Sequence, residues 1–546
     1  MLSPTIQADD GLQLTVAQLL RARVAELGNA EWLVCDDERI TYAEADRRSA
    51  VLARGLLAIG VKHGTHVGLI YPNGVDYLVA WLAIVRVGAV ATPFSSFSTA
   101  REFHNLINHG RVEVLLATSA FRAHRYDERL QEALPGLRFD RPPPPATPEA
   151  PKLREIFFSG AGMPERDPGW SIDRLIGQAP KISEDALRRS EDAVRLEDRL
   201  GIIHTSGSTS APKGVIHRHG QIIRHVNNLN EIRGHGRGHT LFCNSPFFWV
   251  GGMAYSLLGT LVAGGRLLCS NAAKAGDMLD VIERERPDLV NGFAATVAHL
   301  AADPTFARRD FSFIKRGNLY PIAPHLAPKD PELRHNMLGM TETGSVCLLD
   351  GDENEVPERL RGSFGKAAPG FETRVVDPDT GKDCAHGEPG ELWFRGPFLM
   401  EGYLGKETES FDAEGWFHTG DLVARDAEGY FYFKGRRGDM IKTAGANVSP
   451  REVESVLTEV TGLRSHVIGV DDPARGQLVV AVLVAPPEAA LDEQALRARL
   501  AGKLSSYKVP RHFVRMAETE VPMLSTGKID GKALKQELAR RIQSPA

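Results

Sequence analysis

A loop rich in glycine and hydroxyl side chains carries the strongest chemical signal in this sequence. It forms part of the stretch HTSGSTSAPKG, and its residues suited to anion binding are Thr205, Ser206, Gly207, Ser208, Thr209 and Lys213. Small residues let a backbone approach a ligand closely, while turn N–H groups, hydroxyls and a lysine ammonium all attract anions. The loop therefore predicts a phosphate-binding site, and we call residues 205–213 the phosphate loop.

Two other interpretations of this loop fit less well. A flexible Gly/Ser linker would explain the composition, but Pro212 stiffens the loop and apolar residues flank it on both sides. A nucleotide-binding P-loop requires glycine directly before its lysine and Ser or Thr directly after it. Pro212 and Gly214 stand at those two positions around Lys213. The pattern therefore indicates a phosphate loop of another kind.

Four further stretches combine glycines with side chains that could contact a nucleotide. They are MLGMTETG (337–344), GWFHTGDLV (415–423), FKGRRGDMIKTAGANVSPREVE (433–454) and LSTGKID (524–530). A carboxylate such as Glu342, beside a phosphate loop, is a suitable ligand for Mg²⁺. The carboxylate of Asp421 could accept both hydroxyls of a ribose, or form only an Asx turn. A surface turn would explain the third stretch equally well, and the fourth alone indicates nothing.

Together and in this order, the five motifs resemble those of the adenylate-forming superfamily. This superfamily contains acyl- and aryl-CoA synthetases, adenylation domains and firefly-type luciferases, and the resemblance extends from about Ile40 to Leu534. It implies a reaction in two steps, with ATP, Mg²⁺ and coenzyme A as cofactor and cosubstrates. A carboxylate first attacks the α-phosphate of ATP to give acyl-AMP and pyrophosphate, and a thiol, usually coenzyme A, then displaces AMP. Both first-step reactants are anions, so that step needs charge neutralisation and positioning.

The resemblance also implies a role for each nucleotide motif. The phosphate loop holds the β- and γ-phosphates, Thr341 contacts a phosphate, and Glu342 binds Mg²⁺. Asp421 and Arg436 contact the ribose, while Phe433 forms an apolar wall near the nucleotide.

The C-terminal motifs are expected to act in alternation. Lys528 matches the catalytic lysine that bridges carboxylate and phosphate oxygens in the first step. Gly445 matches a glycine beside the pantetheine path, where a bare backbone leaves room, and Lys442 also fits the acceptor tunnel. The C-terminal domain of the superfamily rotates between the two steps, and its hinge falls at Gly438, where many relatives carry Asp or Lys.

Two positions depart from the pattern that is common in the superfamily. Leu338, which precedes Gly339, replaces a frequent aromatic residue, so adenine would stack on an aliphatic surface. Trp249 replaces a frequent histidine, and the segment around it has no carboxylate for a substrate ammonium. A neutral, hydrophobic acid is therefore favoured: aryl, alicyclic or medium-chain. The residues expected near the acyl group are Phe247, Trp249, Phe293 and Gly317. The alternative is that these aromatic residues are simply core.

The sequence pattern also predicts the architecture. Helical spacing at residues 43–57 and a buried-strand pattern at 67–71 begin an alternation that is typical of an α/β fold with parallel sheets. We expect a large N-terminal domain of helix-covered parallel sheets over residues 1–437. Glycine-rich turns between β-like runs predict a small β-barrel-like part at 362–437. Residues 438–546 predict a small α+β C-terminal domain, which the resemblance implies is mobile.

Composition excludes several classes of protein. The 546 residues carry a net charge of -5, with 42% hydrophobic and 25% charged residues, which is ordinary for a globular enzyme and unlike a nucleic-acid-binding surface. The apolar stretches are too short for a membrane span, and the N-terminus lacks a secretory pattern. The five cysteines are scattered and odd in number, which does not indicate a disulfide framework. The histidines lack the paired spacing, and the nearby cysteines, of a zinc site. We expect a cytoplasmic monomer or homodimer.

Three functions remain open on the sequence alone. The leading hypothesis is an AMP-forming acid:CoA ligase. The nearest alternative is an adenylating enzyme that transfers its acyl group to a carrier protein or to a nitrogen nucleophile. The third is a non-catalytic nucleotide-binding protein on the same fold, and the presence of Lys213, Glu342 and Lys528 argues against it.

Overall fold

The structure is a computed structural model with two compact units. It describes residues 12–143, 147–160, 166–205, 212–292, 297–330, 333–334, 336–350, 355–437, 441–443, 446–448, 450–472, 476–486, 492–501, 503–504, 508–524 and 529–543. The first unit comprises residues 1–372 and 395–415, and the second comprises 373–394 and 416–546.

A mostly parallel sheet begins the first unit. In spatial order its strands are Arg316–Gly317, Leu289–Val290, Thr240–Phe242, Arg266–Cys269, Glu31–Cys35 and Glu38–Thr41. Neighbouring strands are parallel except for the last pair, which forms an antiparallel hairpin.

A second sheet of the first unit carries the phosphate loop near one edge. In spatial order its strands are Gly402–Tyr403, Lys213–Arg218, Arg199–Thr205, Val90–Pro93, His66–Ile70, Val114–Thr118 and Glu155–Ser159. The two pairings at the first edge are antiparallel and the others are parallel. The phosphate loop therefore connects two antiparallel strands of this sheet.

Helices cover both sheets of the first unit. They are Val16–Leu27, Tyr42–Ala58, Val75–Val85, Ala100–His109, Tyr126–Ala133, Ile172–Ile176, Glu184–Ala193, His219–Ile232, Gly259–Ala263 and Ala275–Glu285, with a π-helical segment at Gly251–Leu258. Short 3₁₀ turns lie at Pro168–Trp170, Ala179–Lys181, Ala298–Ala302, Phe306–Arg308, Pro324–Leu326, Thr341–Thr343, Glu358–Leu360 and Glu407–Glu409.

The helix Val75–Val85 lies at the centre of this unit. Its sequence, VDYLVAWLAIV, is apolar all around the axis, and every residue except Asp76 is buried. Such a pattern is typical of a helix enclosed by protein on all sides. One hydrophobic cluster contains this helix together with Leu33 of the first sheet and Val67 of the second.

Two small antiparallel sheets also belong to the first unit. The strands Leu338–Met340, Ser345–Leu349 and Lys366–Ala367 form one sheet, and Ala120–Phe121 pairs with His124–Arg125. The first of these carries the Thr-Glu motif in its turn.

The second unit contains two sheets. One joins Glu372–Val376, Gly390–Arg395, Phe417–Arg425 and Phe431–Arg436 in this order. The other joins Ala446–Val448, Ile441–Thr443, Gly476–Val484 and Ser465–Asp472, and His512–Met516 pairs in parallel with Gly476–Val484. Its helices are Pro450–Thr461, Glu493–Ala501 and Gly531–Gln543, with a 3₁₀ turn at Glu518–Glu520.

The predicted α/β class, with helix-covered parallel sheets and a separate C-terminal domain, is confirmed. The β-rich part expected at 362–437 is divided between the units, since residues 395–415 pack with the first and 416–437 with the second. The boundary after residue 437 and the mobility of the C-terminal domain stay predictions. Within the ranges that the structure describes, no helix is both long and apolar enough to cross a membrane.

Several histidines are buried around the phosphate loop and the helix that follows it. Burial lowers the pKa of His204 from 6.5 to about 3, with further contributions from His109 and His66. Burial likewise lowers the pKa values of His217, His219 and His225 to about 4. These four rings are therefore neutral at pH 7, and folding excludes their charged forms.

These four histidines predict a loss of stability below neutral pH. The unfolded chain takes up protons as the pH falls through 6.5, whereas the folded rings stay neutral down to pH 3–4. Each should therefore reduce the free energy of unfolding by about 1.4 kcal/mol per pH unit in this window. Calorimetry between pH 7.5 and 5.0 should show a falling melting temperature, and a flat profile would exclude this account. His225→Gln should flatten the slope, while His386→Gln, at an exposed position, should not.

Candidate active site

The phosphate loop is anchored at both of its ends. The strands Arg199–Thr205 and Lys213–Arg218 are antiparallel, and Lys213 lies directly opposite Thr205. Gly214 packs closely here, because an added Cβ would lie 2.9 Å from Cγ2 of Ile202. The sheet thus fixes where the loop leaves and where it returns, and it places the lysine at the return point.

The Thr-Glu motif occupies a tight turn between two strands. Thr341–Thr343 forms a 3₁₀ turn, and Gly344 follows with a φ of 72°, in the left-handed region that glycine adopts without strain. Oγ1 of Thr343 donates to the carbonyl oxygens of Met340 and Ser345, at 3.1 and 2.8 Å. This turn holds the half-buried side chains of Thr341 and Glu342 at the end of the hairpin.

Tyr403 connects the phosphate-loop lysine with the motif glutamate. Its hydroxyl donates to Oε1 of Glu342 at 2.7 Å, and Nζ of Lys213 lies 4.7 Å from the centroid of its ring. A cation at that distance is attracted by the face of an aromatic ring. The backbone N–H of Met400 also donates to the carbonyl oxygen of Glu342, at 2.8 Å. The structure therefore brings Lys213 and Glu342 together on one tyrosine.

Sequence reasoning missed Tyr403. Its place at the site follows from the pairing of Gly402–Tyr403 with Lys213–Arg218, in which Tyr403 lies opposite Val215. Glu342 is 61 residues away along the chain. No periodicity or short motif reports such a contact, and the only local sign is a Gly-Tyr pair in a segment rich in glycine.

The buried side chain of Gln221 links the segment before Tyr403 to the strand that follows the phosphate loop. Nε2 of Gln221 donates to the carbonyl oxygen of Phe398 at 2.7 Å and lies 3.3 Å from Nδ1 of His217. His217 belongs to the strand that follows the phosphate loop. The segment that leads to Tyr403 is therefore tied to that strand.

The two residues predicted to contact the ribose form an ion pair in the second unit. Asp421 and Arg436 lie opposite each other on neighbouring antiparallel strands, and Nε of Arg436 donates to Oδ1 of Asp421 at 2.6 Å. The Asp421 side chain is 5% exposed, whereas that of Arg436 is 58% exposed. Phe433, on the same strand as Arg436, has the guanidinium carbon of Arg451 at 5.1 Å from its ring centroid. This unit thus offers a buried carboxylate beside an accessible guanidinium.

Several predicted site residues lie outside the described residues. They are Ser206, Gly207, Ser208, Thr209, Phe293, Gly438, Gly445 and Lys528. Lys442 belongs to the strand Ile441–Thr443. Met523 and Ile529, on either side of the LSTGK segment, form an antiparallel bridge.

Phe247, predicted near the acyl group, is fully buried in the hydrophobic core. Its ring contacts that of Tyr77 at 5.4 Å between centroids, and the Tyr77 hydroxyl donates to its carbonyl oxygen at 2.7 Å. Trp249 is half-buried, and its ring lies 5.4 Å from that of Phe248. Phe247 therefore packs in the hydrophobic core, and contact of either residue with an acyl group stays a prediction.

Gly317 lies where only glycine fits. Its φ is 132°, and an added Cβ would lie 1.9 Å from the carbonyl oxygen of Val290, its partner on the neighbouring parallel strand. It also lines a small cavity of the first unit, together with Met337, which directly precedes Leu338. Leu338 and Gly339 begin the hairpin that carries the Thr-Glu motif. The cavity therefore lies next to the segment that the resemblance assigns to the nucleotide.

Comparisons with known proteins identify the family of this chain. The profile of the AMP-binding enzyme family matches residues 20–404, and that of the AMP-binding enzyme C-terminal domain matches residues 452–528. A feruloyl-CoA synthase of Amycolatopsis sp is 30% identical over 514 residues, which cover 92% of this chain and 94% of that protein.

Solved structures show the same fold. The crystal structure of the anthranilate CoA ligase AuaEII in complex with anthranoyl-AMP has a TM-score of 0.80 at 22% identity, covering 99% of this chain and 100% of that one. The amide bond synthetase McbA from Marinactinospora thermotolerans has a TM-score of 0.75 at 22% identity, covering 95% and 99%. The chain belongs to the AMP-binding enzyme family, the adenylate-forming superfamily of acyl- and aryl-CoA synthetases.

Proposed function

We propose that this enzyme activates a hydrophobic carboxylic acid with ATP, as an acyl-adenylate, and transfers the acyl group to coenzyme A. The family relationship supports adenylation and thioester formation as the class of reaction. The observation that best supports catalysis by this chain is the convergence of Lys213 and Glu342 on Tyr403 beside the phosphate loop. A cation, a carboxylate and an anchored anion-binding loop are the parts that an ATP site requires.

In the proposed first step, the chain's own groups position two anions against each other. The phosphate loop and Lys213 would hold the β- and γ-phosphates, and Thr341 would donate its hydroxyl to a phosphate oxygen. Lys528 would bridge the acid carboxylate and the α-phosphate, which reduces their mutual repulsion as the new bond forms. Asp421 and Arg436 would bind the ribose hydroxyls, with Phe433 beside the nucleotide.

Glu342 fits the role of a magnesium ligand. Its carboxylate oxygens are hard donors of the kind that Mg²⁺ prefers, and the hydroxyl of Tyr403 fixes Oε1 at 2.7 Å. When bound, Mg²⁺ would supply positive charge to the phosphates during displacement of pyrophosphate. In the second step, Lys442 and Gly445 would line the path of the thiol after rotation of the C-terminal domain about Gly438.

The choice of acid is the finer part of the proposal. The absence of a carboxylate around Trp249 disfavours an amino acid substrate, and an aryl, alicyclic or medium-chain acid fits best. Acid-dependent exchange of labelled pyrophosphate into ATP, over aryl, alicyclic, fatty and amino acids, tests this directly. Exchange with hydrophobic acids is expected, and exchange restricted to amino acids would refute it.

Tyr403 is expected to influence the concentrations of Mg²⁺ and ATP that the enzyme requires for half-maximal activity. Tyr403→Phe removes the hydrogen bond to Glu342 but keeps a ring beside Lys213, so the KM for Mg·ATP should rise about 3- to 10-fold with a smaller change in kcat. Tyr403→Leu removes both contacts and should have the larger effect. Pyrophosphate exchange across a magnesium series measures this.

The matched control for this prediction is Tyr432→Phe, since the Tyr432 hydroxyl also donates to a carboxylate, that of Asp426, at 3.2 Å. That variant should leave the KM unchanged. Equal effects of the two phenylalanine variants would show that the hydroxyl of Tyr403 has no specific role.

A further inference from the structure

A small cavity in the first unit has several polar side chains among its lining residues. Its lining includes Arg233, Tyr255, Asn291, Gly317, Asn318 and Asp350. Gly317 is the residue that the resemblance places near the acyl group, and Tyr255 comes from the segment that follows Trp249. The cavity is thus bounded by the elements expected to surround the substrate.

Arg233, one of the lining residues, has hydrogen-bond donors that no described residue uses. It follows the helix His219–Ile232 and is 4% exposed. Its Nη2 donates to Oδ1 of Asn230 at 2.8 Å and to the carbonyl oxygen of Tyr255 at 2.9 Å, and its guanidinium lies 3.9 Å from the Tyr255 ring centroid. Nε and Nη1 are buried without a partner among the described residues. Unpaired buried donors on a cation are unfavourable, so a ligand acceptor would stabilise this side chain.

Asn291, another lining residue, has a hydrogen-bond acceptor that no described residue uses. The amide of Asn318 is oriented by Gly292, because Oδ1 accepts from the N–H of Gly292 at 3.0 Å and Nδ2 donates to its carbonyl oxygen at 2.9 Å. Oδ1 of Asn318 therefore faces Nδ2 of Asn291, at 3.5 Å. This leaves Oδ1 of Asn291, a residue 3% exposed, buried without a partner within the described ranges.

We propose that Arg233 and Asn291 bind a neutral hydroxyl group at the far end of the acid. A hydroxyl both accepts and donates a hydrogen bond, so it matches the guanidinium donors of Arg233 and the amide acceptor of Asn291 together. Asp350 lines the same cavity, and its carboxylate disfavours a second anionic group there. The inference rests on the proposed function and narrows its substrate class to hydrophobic acids that carry a distal hydroxyl.

Matched series of acids test this proposal. The probes are 4-hydroxybenzoate, 4-hydroxycinnamate and 6-hydroxyhexanoate, each compared with its deoxy parent, its methyl isostere and its dicarboxylate analogue. In at least one series, kcat/KM for pyrophosphate release should be about tenfold or more higher for the hydroxyl acid than for its methyl isostere, because the isostere leaves both buried groups unpaired. Equal or better use of the methyl or dicarboxylate acid in every series would overturn the proposal.

Two variants assign the discrimination to these side chains. Asn291→Leu removes the acceptor at similar volume, and Arg233→Met removes the donors but keeps an unbranched stem beside Tyr255. Both should reduce the preference for the hydroxyl acid by about tenfold while keeping activity with the deoxy acid, and a merely structural role would lower both activities together. Asn227→Leu, which removes a half-buried asparagine on the preceding helix, is the control. An unchanged preference in a folded Asn291→Leu enzyme would overturn the assignment.

Calorimetric titration of the same acids without ATP separates this proposal from the proposed function. Tighter binding of a hydroxyl acid without any pyrophosphate release would support the cavity and refute the ligase. Pyrophosphate release without preference for the hydroxyl would support the ligase and refute the cavity. Neither binding preference nor release would overturn both.

Discussion

Replacing Lys528 with alanine is expected to reduce acid-dependent ATP–pyrophosphate exchange by about 100- to 1,000-fold, the usual effect of removing one group that stabilises charge in a transition state. The physical reason is that the carboxylate and the α-phosphate repel each other until a cation lies between them. The second step should be largely unaffected, because the proposed domain rotation removes this lysine before the thiol attacks. Chemically prepared acyl-adenylate and coenzyme A should therefore still give thioester with Lys528→Ala.

The matched control for Lys528 is Lys532→Ala. Lys532 is an exposed lysine at the start of the helix Gly531–Gln543, so its removal changes the net charge equally. It should leave both steps at the rate of the unsubstituted enzyme. Full exchange activity in Lys528→Ala would show that another cation performs the first step.

Replacing Glu342 with glutamine is expected to lower kcat/KM for Mg·ATP by about 100-fold. Glutamine keeps an oxygen that can accept the hydrogen bond from Tyr403, and the turn around residue 342 is held by Thr343 and Gly344. The substitution therefore removes the negative charge and little else. The activity lost should depend on magnesium concentration, and kinetics over a magnesium series measure it.

The matched control for Glu342 is Glu409→Gln, because Glu409 is exposed and lies in the short turn after Tyr403. It should not change the magnesium dependence. If Glu342→Gln instead lost activity by the same factor at every magnesium concentration, the carboxylate would act through the fold and not as a metal ligand.

Much of the fold could be predicted from the sequence, because its helices and buried strands have clear local patterns. The helical spacing at 43–57 corresponds to the helix Tyr42–Ala58, and the buried-strand pattern at 67–71 to the strand His66–Ile70. In both cases the buried positions must be apolar, so the element leaves a pattern within a short stretch of sequence.

The contacts that build the site could be predicted only in part. Asp421 and Arg436 belong to sequence motifs, whereas their pairing on neighbouring strands is visible only in the fold; their contact with a ribose stays a prediction. Tyr403 could not be predicted, because only the pairing of two strands far apart in the sequence brings it close to Lys213 and Glu342. Phe247 illustrates a second difficulty. The sequence alone does not distinguish an aromatic ring that contacts a substrate from one that packs in the core.

The cavity lined by Arg233 and Asn291 shows why the proposed substrate class could not be predicted from the sequence. Arg233 and Asn291 are 58 residues apart in the sequence, and neither belongs to a motif. Each is ordinary until its partners are known, since most arginines and asparagines are solvated. What distinguishes them is burial, together with polar atoms that have no partner among the described residues, and both are properties of the folded chain alone.

The measurement that tests the central claim most directly is the dependence of AMP release on coenzyme A. The purified enzyme, with ATP, Mg²⁺ and an acid that supports pyrophosphate exchange, is assayed with coenzyme A, with an amine, and with neither, and products are identified by mass spectrometry. We predict slow AMP release without an acceptor, a sharp rise with coenzyme A, and an acyl-CoA thioester as product. AMP release that ignores coenzyme A but rises with the amine, giving an amide, would contradict the assignment as a CoA ligase.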